Sequence, residues 1–341
     1  LHASLVTFAW FFAAVSAGHM VISTYMLKRA GIAPSTPQNL DTWLPRIKSH
    51  LGWTIVLVLV GALSNKTIET FLLSTLSNPA DLGYFAIANN LTRGGVELLS
   101  STLGTMLMPM MGHAFGQGGI KQVNRILSDA MRYFLFLGLI LAGLGGFWAA
   151  AGVSIMYGDQ YAPVVDVLRV LLLIGGLTLA EGAFGALLST TDHQHVRVVV
   201  SVLSVSISAI AAFALVPQYG LMGAVMAHAI SRILVFLATM AGLIRLMSIR
   251  MPFSAMARLL LAAAMAGSST LPLLWLSHGI AMQFAAGITY TVVFIWSSTL
   301  VGGWQRKDVE TLLAIARRQP RLLGWMVPHL EHWSQRLPTD G

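Results

Sequence analysis

The most constraining feature of this sequence is the placement of its lysines and arginines between nine apolar stretches. Most stretches approach the about 20 residues that a helix needs to cross about 30 Å of hydrocarbon. They run over residues 3–27, 52–77, 82–111, 128–156, 163–190, 196–216, 221–246, 257–277 and 281–301. Basic residues occur in alternate connections, whereas the intervening connections, around residues 78–83, 157–163, 216–220 and 277–283, contain none. This pattern predicts an all-α polytopic membrane protein with about nine transmembrane helices.

The same pattern predicts an orientation. Lysine and arginine in short loops remain on the cytoplasmic side during insertion. The connections without basic residues are therefore predicted to lie outside. With nine helices, the N-terminus of the chain faces out and the C-terminus faces the cytoplasm.

Composition narrows the function classes. Of the 341 residues, 56% are hydrophobic and 10% are charged, against roughly 25% charged in soluble domains. The net charge of +8 comes from the predicted cytoplasmic loops and tail, where basic residues meet anionic lipid headgroups. It therefore indicates membrane lipid, and not nucleic acid, as a partner. The absence of cysteine excludes disulfides, thiolate metal ligands and cysteine nucleophiles.

The two ends of the chain each carry a signal. The chain opens at Leu1, and Lys28 and Arg29 follow the first apolar stretch instead of preceding it, which is the reverse of a cleaved signal peptide. We therefore expect a fragment that lacks N-terminal helices. Near the other end, apolar residues recur at helical spacing with charges opposite, and Pro320 follows. This predicts an amphipathic helix on the membrane surface; its apolar face consists of Val309, Leu312, Leu313 and Ala316.

Three passages, in this order, resemble a known family. They are DLGYFAIANN at 81–90, continuing to MLMPMM at 106–111; IMYGDQYAPVVDVLRVLLLIGG at 155–176; and LVPQYGLMGAVMAHAIS at 215–231. Together they resemble the Wzx-type polysaccharide-biosynthesis flippases of the multidrug/oligosaccharidyl-lipid/polysaccharide exporter superfamily. Each passage includes a connection that the charge pattern independently predicts to lie outside.

The resemblance implies a MATE-like fold of two six-helix lobes with two extra C-terminal helices. The nine stretches then correspond to helices six to fourteen of a fourteen-helix protein. The implied division is 1–27 as the last helix of an otherwise missing N-lobe, 28–50 as a cytoplasmic inter-lobe linker, 51–246 as the six-helix C-lobe, 247–303 as two extra transmembrane helices, and 304–341 as a cytoplasmic amphipathic tail.

The resemblance also implies a function. Such proteins flip lipid-linked oligosaccharide across the bacterial inner membrane by alternating access, for polysaccharide, O-antigen or exopolysaccharide biosynthesis. The implied substrate is a polyprenyl-pyrophosphate-linked oligosaccharide, with a glycan polymerase and assembly proteins as further partners. No cofactor and no catalysis are expected.

Two alternatives remain open. A cation-coupled multidrug exporter on the same fold would favour an acidic cavity. A membrane glycosyltransferase or acyltransferase of the same pathway would show clustered acids or histidines in a loop; here, the external loops hold only scattered acids such as Asp81 and Asp159. His193 and His195 lie together, but two histidines without a third ligand are a weak metal signal.

Charged residues inside the apolar stretches are the candidates for a substrate site, because a charge at mid-membrane costs about 2.5–3.5 kcal/mol on insertion scales. Three pairs lie three or four residues apart and so share a helix face: Lys66 with Glu69, Arg93 with Glu97, and His228 with Arg232. These are either structural pairs or part of a site. The stretches 128–156, 196–216, 257–277 and 281–301 are almost free of charge and are predicted to be lipid-facing or structural.

Depth favours a site. At about 1.5 Å per residue, Lys66, Arg93 and Arg232 lie roughly 16–18 Å from the outer ends of their helices. Three cations at one depth suit a pyrophosphate, which accepts charge-assisted hydrogen bonds. Asparagine side chains near them either bind sugar hydroxyls or pair helices. The predicted substrate-binding residues are Lys66, Arg93, Arg232, Asn65, Glu69, Asn89, Asn90, Glu97 and His228.

Overall fold

The computed structural model describes residues 5–29, 31, 40–64, 67–191, 193–276, 279–304, 306–318 and 327–336. Throughout these residues the regular structure is helical, without a strand. The chain divides into two compact units, Leu1–Leu51 and Gly52–Gly341, and the boundary falls within a helix. The all-α class predicted from the sequence is thus confirmed.

The helices follow the predicted apolar stretches. In chain order they are α1 (Leu5–Arg29), α2 (Leu40–Ser64), α3 (Thr67–Leu76), α4 (Pro79–Thr92), a π-helical turn (Arg93–Glu97), α5 (Leu98–Tyr157), α6 (Pro163–Leu177), α7 (Glu181–Thr190), α8 (Gln194–Met247), α9 (Phe253–Leu276), α10 (Ile280–Leu300), α11 (Arg306–Arg318) and α12 (Val327–Arg336). A 3₁₀ turn at Asp159–Tyr161 joins α5 to α6.

Helix α5 is two helical arms that fold back at Gly119, whose φ of 62° and ψ of −155° break the helix. Gly104 in the first arm (98–118) closely approaches Gly182, and Gly138 in the second arm (120–157) closely approaches Gly176. On a straight helix, residues 104 and 138 would lie about 51 Å apart. Only a reversal at Gly119 allows both to contact the neighbouring α6–α7 segment.

Helix α8 reverses in the same way at Gly220, where φ is 52° and ψ is −125°. The Ser231 hydroxyl in its second arm (221–247) lies 3.3 Å from the carbonyl oxygen of Ser204 in its first arm (194–219). A Cβ atom on Gly223 would overlap the carbonyl of Leu215. The two arms are therefore antiparallel neighbours, and the reversal coincides with the predicted external VPQYG connection.

Counted as continuous helices, four in the described ranges are long and apolar enough to cross a membrane, or five with the α6–α7 pair, which bends by 41°. Two of the four contain the reversals of α5 and α8. When each arm is counted separately, the second arm of α5 matches the predicted stretch 128–156 and the two arms of α8 match 196–216 and 221–246, whereas the stretches 52–77, 82–111 and 163–190 are each divided among two or more helices. The fold is that of a polytopic membrane protein.

Three apolar clusters hold the larger unit together. One joins both arms of α5 with α7 and the second arm of α8, around Met111, Leu127 and Phe184. A second joins α3, α4, α6, the end of the second arm of α5 and the parts of α8 that flank Gly220, around Leu73, Phe85 and Val164. The third attaches α9 and α10 to the second arm of α5, around Leu259 and Phe294. These sets are referred to below as the inner, outer and C-terminal clusters, the first two names following the orientation predicted from the sequence.

The helix in the tail packs against the helical bundle. The predicted amphipathic helix exists as α11, with Val309 and Ala316 buried. However, Asp308 on this helix is also buried and pairs with Arg132 at 2.7 Å. The stretch 128–156, predicted to be lipid-facing or structural, thus has a structural role near its start, where Arg132 anchors the tail to the helical bundle.

Candidate functional site

A polar cavity of about 540 Å³ lies inside the larger unit. Its walls come from α3, α4, the π-helical turn, the first arm of α5, α6, α7 and both arms of α8. Along α4 and α5 the lining extends from Asn89 to Met108, which is about 28 Å of helix. Three residues of the lining, Val96, Leu179 and Ala186, belong to the inner cluster, and Ala88 of the outer cluster directly precedes Asn89. The cavity therefore lies beside both clusters.

One end of the cavity holds a buried carboxylate. Glu69, in the first turn of α3, is 2% exposed. It accepts a hydrogen bond from the hydroxyl of Ser208 and lies 3.8 Å from Nδ1 of His228. Because Ser208 and His228 belong to opposite arms of α8, this cluster joins α3 to the helical hairpin.

The second charged pair crosses between α7 and α8. Arg232 Nη1 lies 2.9 Å from Glu181 Oε2, and both side chains are partly exposed to the cavity. Glu181 begins α7, where a negative charge is also favoured by the helix N-terminus. The sequence pairs Arg232 with His228 on one helix face, but the structure pairs each of them with a glutamate from another helix.

The third pair lies on the π-helical turn. Arg93 Nε is 3.8 Å from Glu97 Oε2, and the Arg93 side chain is 64% exposed. A π-helical turn contains one residue more than an α-helical turn. The extra residue shifts the helix face at the point where it lines the cavity, and such turns are frequent at functional sites.

Arg197, in the first turns of α8, contributes the third arginine of the lining. Its Nη1 donates to the hydroxyl of Ser189 on α7 at 2.7 Å. Among the described residues, it forms no ion pair with a carboxylate within 4.0 Å.

The structure brings most of the predicted site residues together. The lining includes Glu69, Asn89, Arg93, Glu97, His228 and Arg232. Asn90 is exposed and does not line the cavity. Asn65 and Lys66 lie outside the described residues.

Sequence reasoning missed the charged contributors Glu181 and Arg197, and it missed all the hydroxyl-bearing residues of the lining, which are Ser100, Ser101, Thr105, Thr178, Ser204, Ser208 and Ser231. Glu181 lies within an apolar stretch, so the insertion cost of a charge was a signal that could have identified it. Arg197 and Ser208 belong to the stretch 196–216, which the sequence predicts to be lipid-facing or structural; the structure places both at the cavity. The described lining carries three arginines and three glutamates, so its charge is balanced and not predominantly cationic.

Comparison with known proteins gives the context of this cavity. A family described as "Polysaccharide biosynthesis protein" matches residues 8–166. The chain is also 24% identical over 193 residues to the capsular polysaccharide biosynthesis protein CapF of Staphylococcus aureus. This alignment covers 55% of the chain and 48% of CapF, so the chain spans about half the length of this curated relative. These findings confirm the resemblance drawn from the sequence: the chain is similar to polysaccharide biosynthesis proteins.

Proposed function

We propose that this protein moves a lipid-linked oligosaccharide across the bacterial inner membrane for polysaccharide biosynthesis. The observation that carries the proposal is a polar cavity of about 540 Å³ inside a bundle of apolar helices, lined by both positively and negatively charged side chains. Polar groups within a membrane are costly and usually belong to a substrate or ion pathway. The relative named for capsular polysaccharide biosynthesis supports the choice of a saccharide substrate.

The lining suits both parts of such a substrate. Arginines donate charge-assisted hydrogen bonds to a pyrophosphate. The hydroxyls of Ser100, Ser101 and Thr105 form a polar row along the first arm of α5, where they and the glutamates can exchange hydrogen bonds with sugar hydroxyls. In this proposal the polyprenyl chain remains in the surrounding lipid. The substrate is released chemically unchanged, so no catalytic residue is required.

Orientation and transport are parts of the same proposal. The reversal at Gly220 lies outside, the reversal at Gly119 lies in the cytoplasm, and α11 follows on the cytoplasmic side. Alternating access would expose the cavity to each side in turn as one helical bundle rocks against another. Assembly partners such as a glycan polymerase would receive the substrate outside.

A variant that fills the cavity tests the proposal. Gly185 lines the cavity, and a Cβ added there would meet nothing within 4 Å. Gly146 has the same free space but does not line the cavity. The protein, expressed from its full reading frame in a flippase-deficient strain, should restore surface polysaccharide. The Gly185→Leu variant should abolish this export, whereas Gly146→Leu should preserve it.

Surface polysaccharide and the lipid-linked precursor should be measured together, at equal amounts of protein in the membrane. A blocked flippase accumulates the precursor in the inner leaflet. If Gly185→Leu restores surface polysaccharide as well as Gly146→Leu does, the cavity is not the path of the saccharide.

A second candidate is a cation-coupled multidrug exporter, which the buried carboxylate of Glu69 favours. This function predicts efflux of lipophilic cationic dyes that stops in Glu69→Gln, with no effect on surface polysaccharide. Export of the saccharide without dye efflux would exclude it.

A further inference from the structure

We propose that Arg197 is the residue that receives the phosphate group of the substrate at the cytoplasmic mouth of the cavity. This inference rests on the proposed function, because it assigns a specific contact within the same cavity. The sequence alone did not select Arg197, and the residue became a candidate only through its position in the lining.

The first argument is the balance of charges. Two of the three arginines in the described lining already have carboxylate partners: Arg93 has Glu97, and Arg232 has Glu181. The remaining glutamate, Glu69, has His228 and Ser208. Over the ranges that the structure describes, Arg197 is the cavity arginine whose charge no carboxylate neutralises within 4.0 Å.

The second argument is the geometry of its guanidinium. The side chain is partly buried, and Ser189 holds Nη1 in place at 2.7 Å. A guanidinium carries five N–H donors, so further donors remain for a ligand after this hydrogen bond. Because Ser189 fixes one nitrogen of the planar guanidinium, the other N–H groups are suited to bidentate binding of a phosphate, whose oxygens are hydrogen-bond acceptors.

The third argument is position. Arg197 lies in the first turns of α8 and is itself the basic residue by which the charge pattern predicts the preceding connection to be cytoplasmic. Glu69 and His228 lie farther along the hairpin, beside Ser208, more than two turns beyond Arg197. A phosphate in the inner leaflet would therefore meet Arg197 before it reaches the paired arginines deeper in the cavity.

Binding measurements on the purified full-length protein in nanodiscs test this inference without requiring transport. The probe is geranylgeranyl pyrophosphate, and geranylgeraniol is the matched probe without phosphate. Arg197→Gln should weaken binding of the pyrophosphate probe about tenfold or more, because a charged hydrogen bond is lost. Binding of geranylgeraniol should be the same in both proteins.

Three further variants separate recognition from folding. Arg197→Lys keeps the charge and should retain part of the affinity. Ser189→Ala removes the hydroxyl that positions the guanidinium and should weaken binding about two- to fivefold. Arg125→Gln removes an exposed arginine from another predicted cytoplasmic segment, outside the cavity lining, and should leave binding unchanged. Equal melting temperatures of the variants establish that they are folded.

The source of the phosphate is distinguished by competition. Inorganic pyrophosphate that displaces the probe would identify a site for soluble phosphate, whereas displacement only by nanodiscs rich in phosphatidylglycerol would identify a lipid headgroup site. Resistance to both supports a site for a prenyl-linked phosphate. Equal affinity of Arg197→Gln and the unmodified protein for the probe overturns the inference, even if surface polysaccharide is still exported. If the unmodified protein exports no surface polysaccharide while its affinity for the probe depends on Arg197, the proposed function alone is contradicted.

Discussion

At the scale of single residues, the main result is how the charges inside the membrane bundle are paired. Spacing along the sequence correctly identified Arg93 and Glu97 as partners, because residues four apart share a helix face. It could not identify the partners of Arg232 and His228, which come from other helices. The rotation of a helix about its axis depends on packing across the bundle. It cannot be inferred from the spacing of residues within one helix.

The Arg232–Glu181 pair permits a test of structural against substrate roles. Arg232→Gln leaves Glu181 facing the cavity without its cation, so unfolding should become easier. The loss should fall below the about 3–5 kcal/mol known for fully buried pairs, since both side chains are partly exposed. Thermal unfolding in detergent would measure it.

The double variant Arg232→Gln with Glu181→Gln should regain stability but not export of surface polysaccharide. In that case the arginine contributes to transport beyond its ion pair. Recovery of both stability and export would assign the pair a purely structural role.

At the scale of helices, close backbone approaches determine which elements pack together. A Cβ on Gly138 would overlap the carbonyl oxygen of Gly176, whereas a Cβ on Gly146 in the same arm would meet nothing within 4 Å. Gly138→Ala should therefore separate α5 from α6 and lower the melting temperature. Gly146→Ala should leave the melting temperature unchanged or raise it, because the helix propensity of alanine is more favourable than that of glycine by up to about 1 kcal/mol. Equal effects of the two substitutions would contradict the described packing.

The docking of the tail helix gives a second test at this scale. Nη2 of Arg132 donates to both carboxylate oxygens of Asp308 at 2.7 Å, and the hydroxyl of Tyr133 also donates to this carboxylate. Both charged side chains are almost fully buried. Removal of one partner leaves the other charge buried without a counter-charge. Asp308→Ala should therefore release α11 from the bundle.

Limited trypsin digestion reports this release, because Arg317 and Arg318 end the helix. Cleavage there should become several-fold faster in Asp308→Ala. Glu310→Gln, which removes an exposed partner of Arg306 on the same helix, is the matched control and should be cleaved at the original rate. Unchanged cleavage in Asp308→Ala would show that the ion pair does not hold the tail.

Helix positions could be predicted better than helix neighbours. The length of each apolar stretch and the turn residues around Gly220 located the helices, because hydrocarbon thickness and backbone freedom act locally. Arg132 and Asp308 lie far apart in the chain, and the sequence offered only a charge near the end of an apolar stretch. The first arm of α8 looked structural because, apart from Arg197 at its start, its polar cavity residues Ser204 and Ser208 are small and uncharged.

At the scale of the whole molecule, the orientation is the prediction that the alternating basic loops make most directly. The chain contains no cysteine, so single cysteines can be introduced without background. Cysteines at Asp159 and Tyr219, both in exposed positions, should react with an impermeant maleimide in intact cells. A cysteine at the exposed position of Lys121 should react only after the membrane is permeabilised. The reverse pattern would invert the orientation.

The central claim is that the saccharide passes through the polar cavity, and site-specific photo-crosslinking in cells tests it most directly. Val205 lines the cavity, whereas Val292 lies on α10, is 61% exposed and is not part of the lining. A photoreactive amino acid at position 205 should form an adduct with the lipid-linked oligosaccharide, detectable by its sugar, and the same amino acid at position 292 should not. Adducts formed equally at both positions, or at position 292 alone, would contradict passage through the cavity.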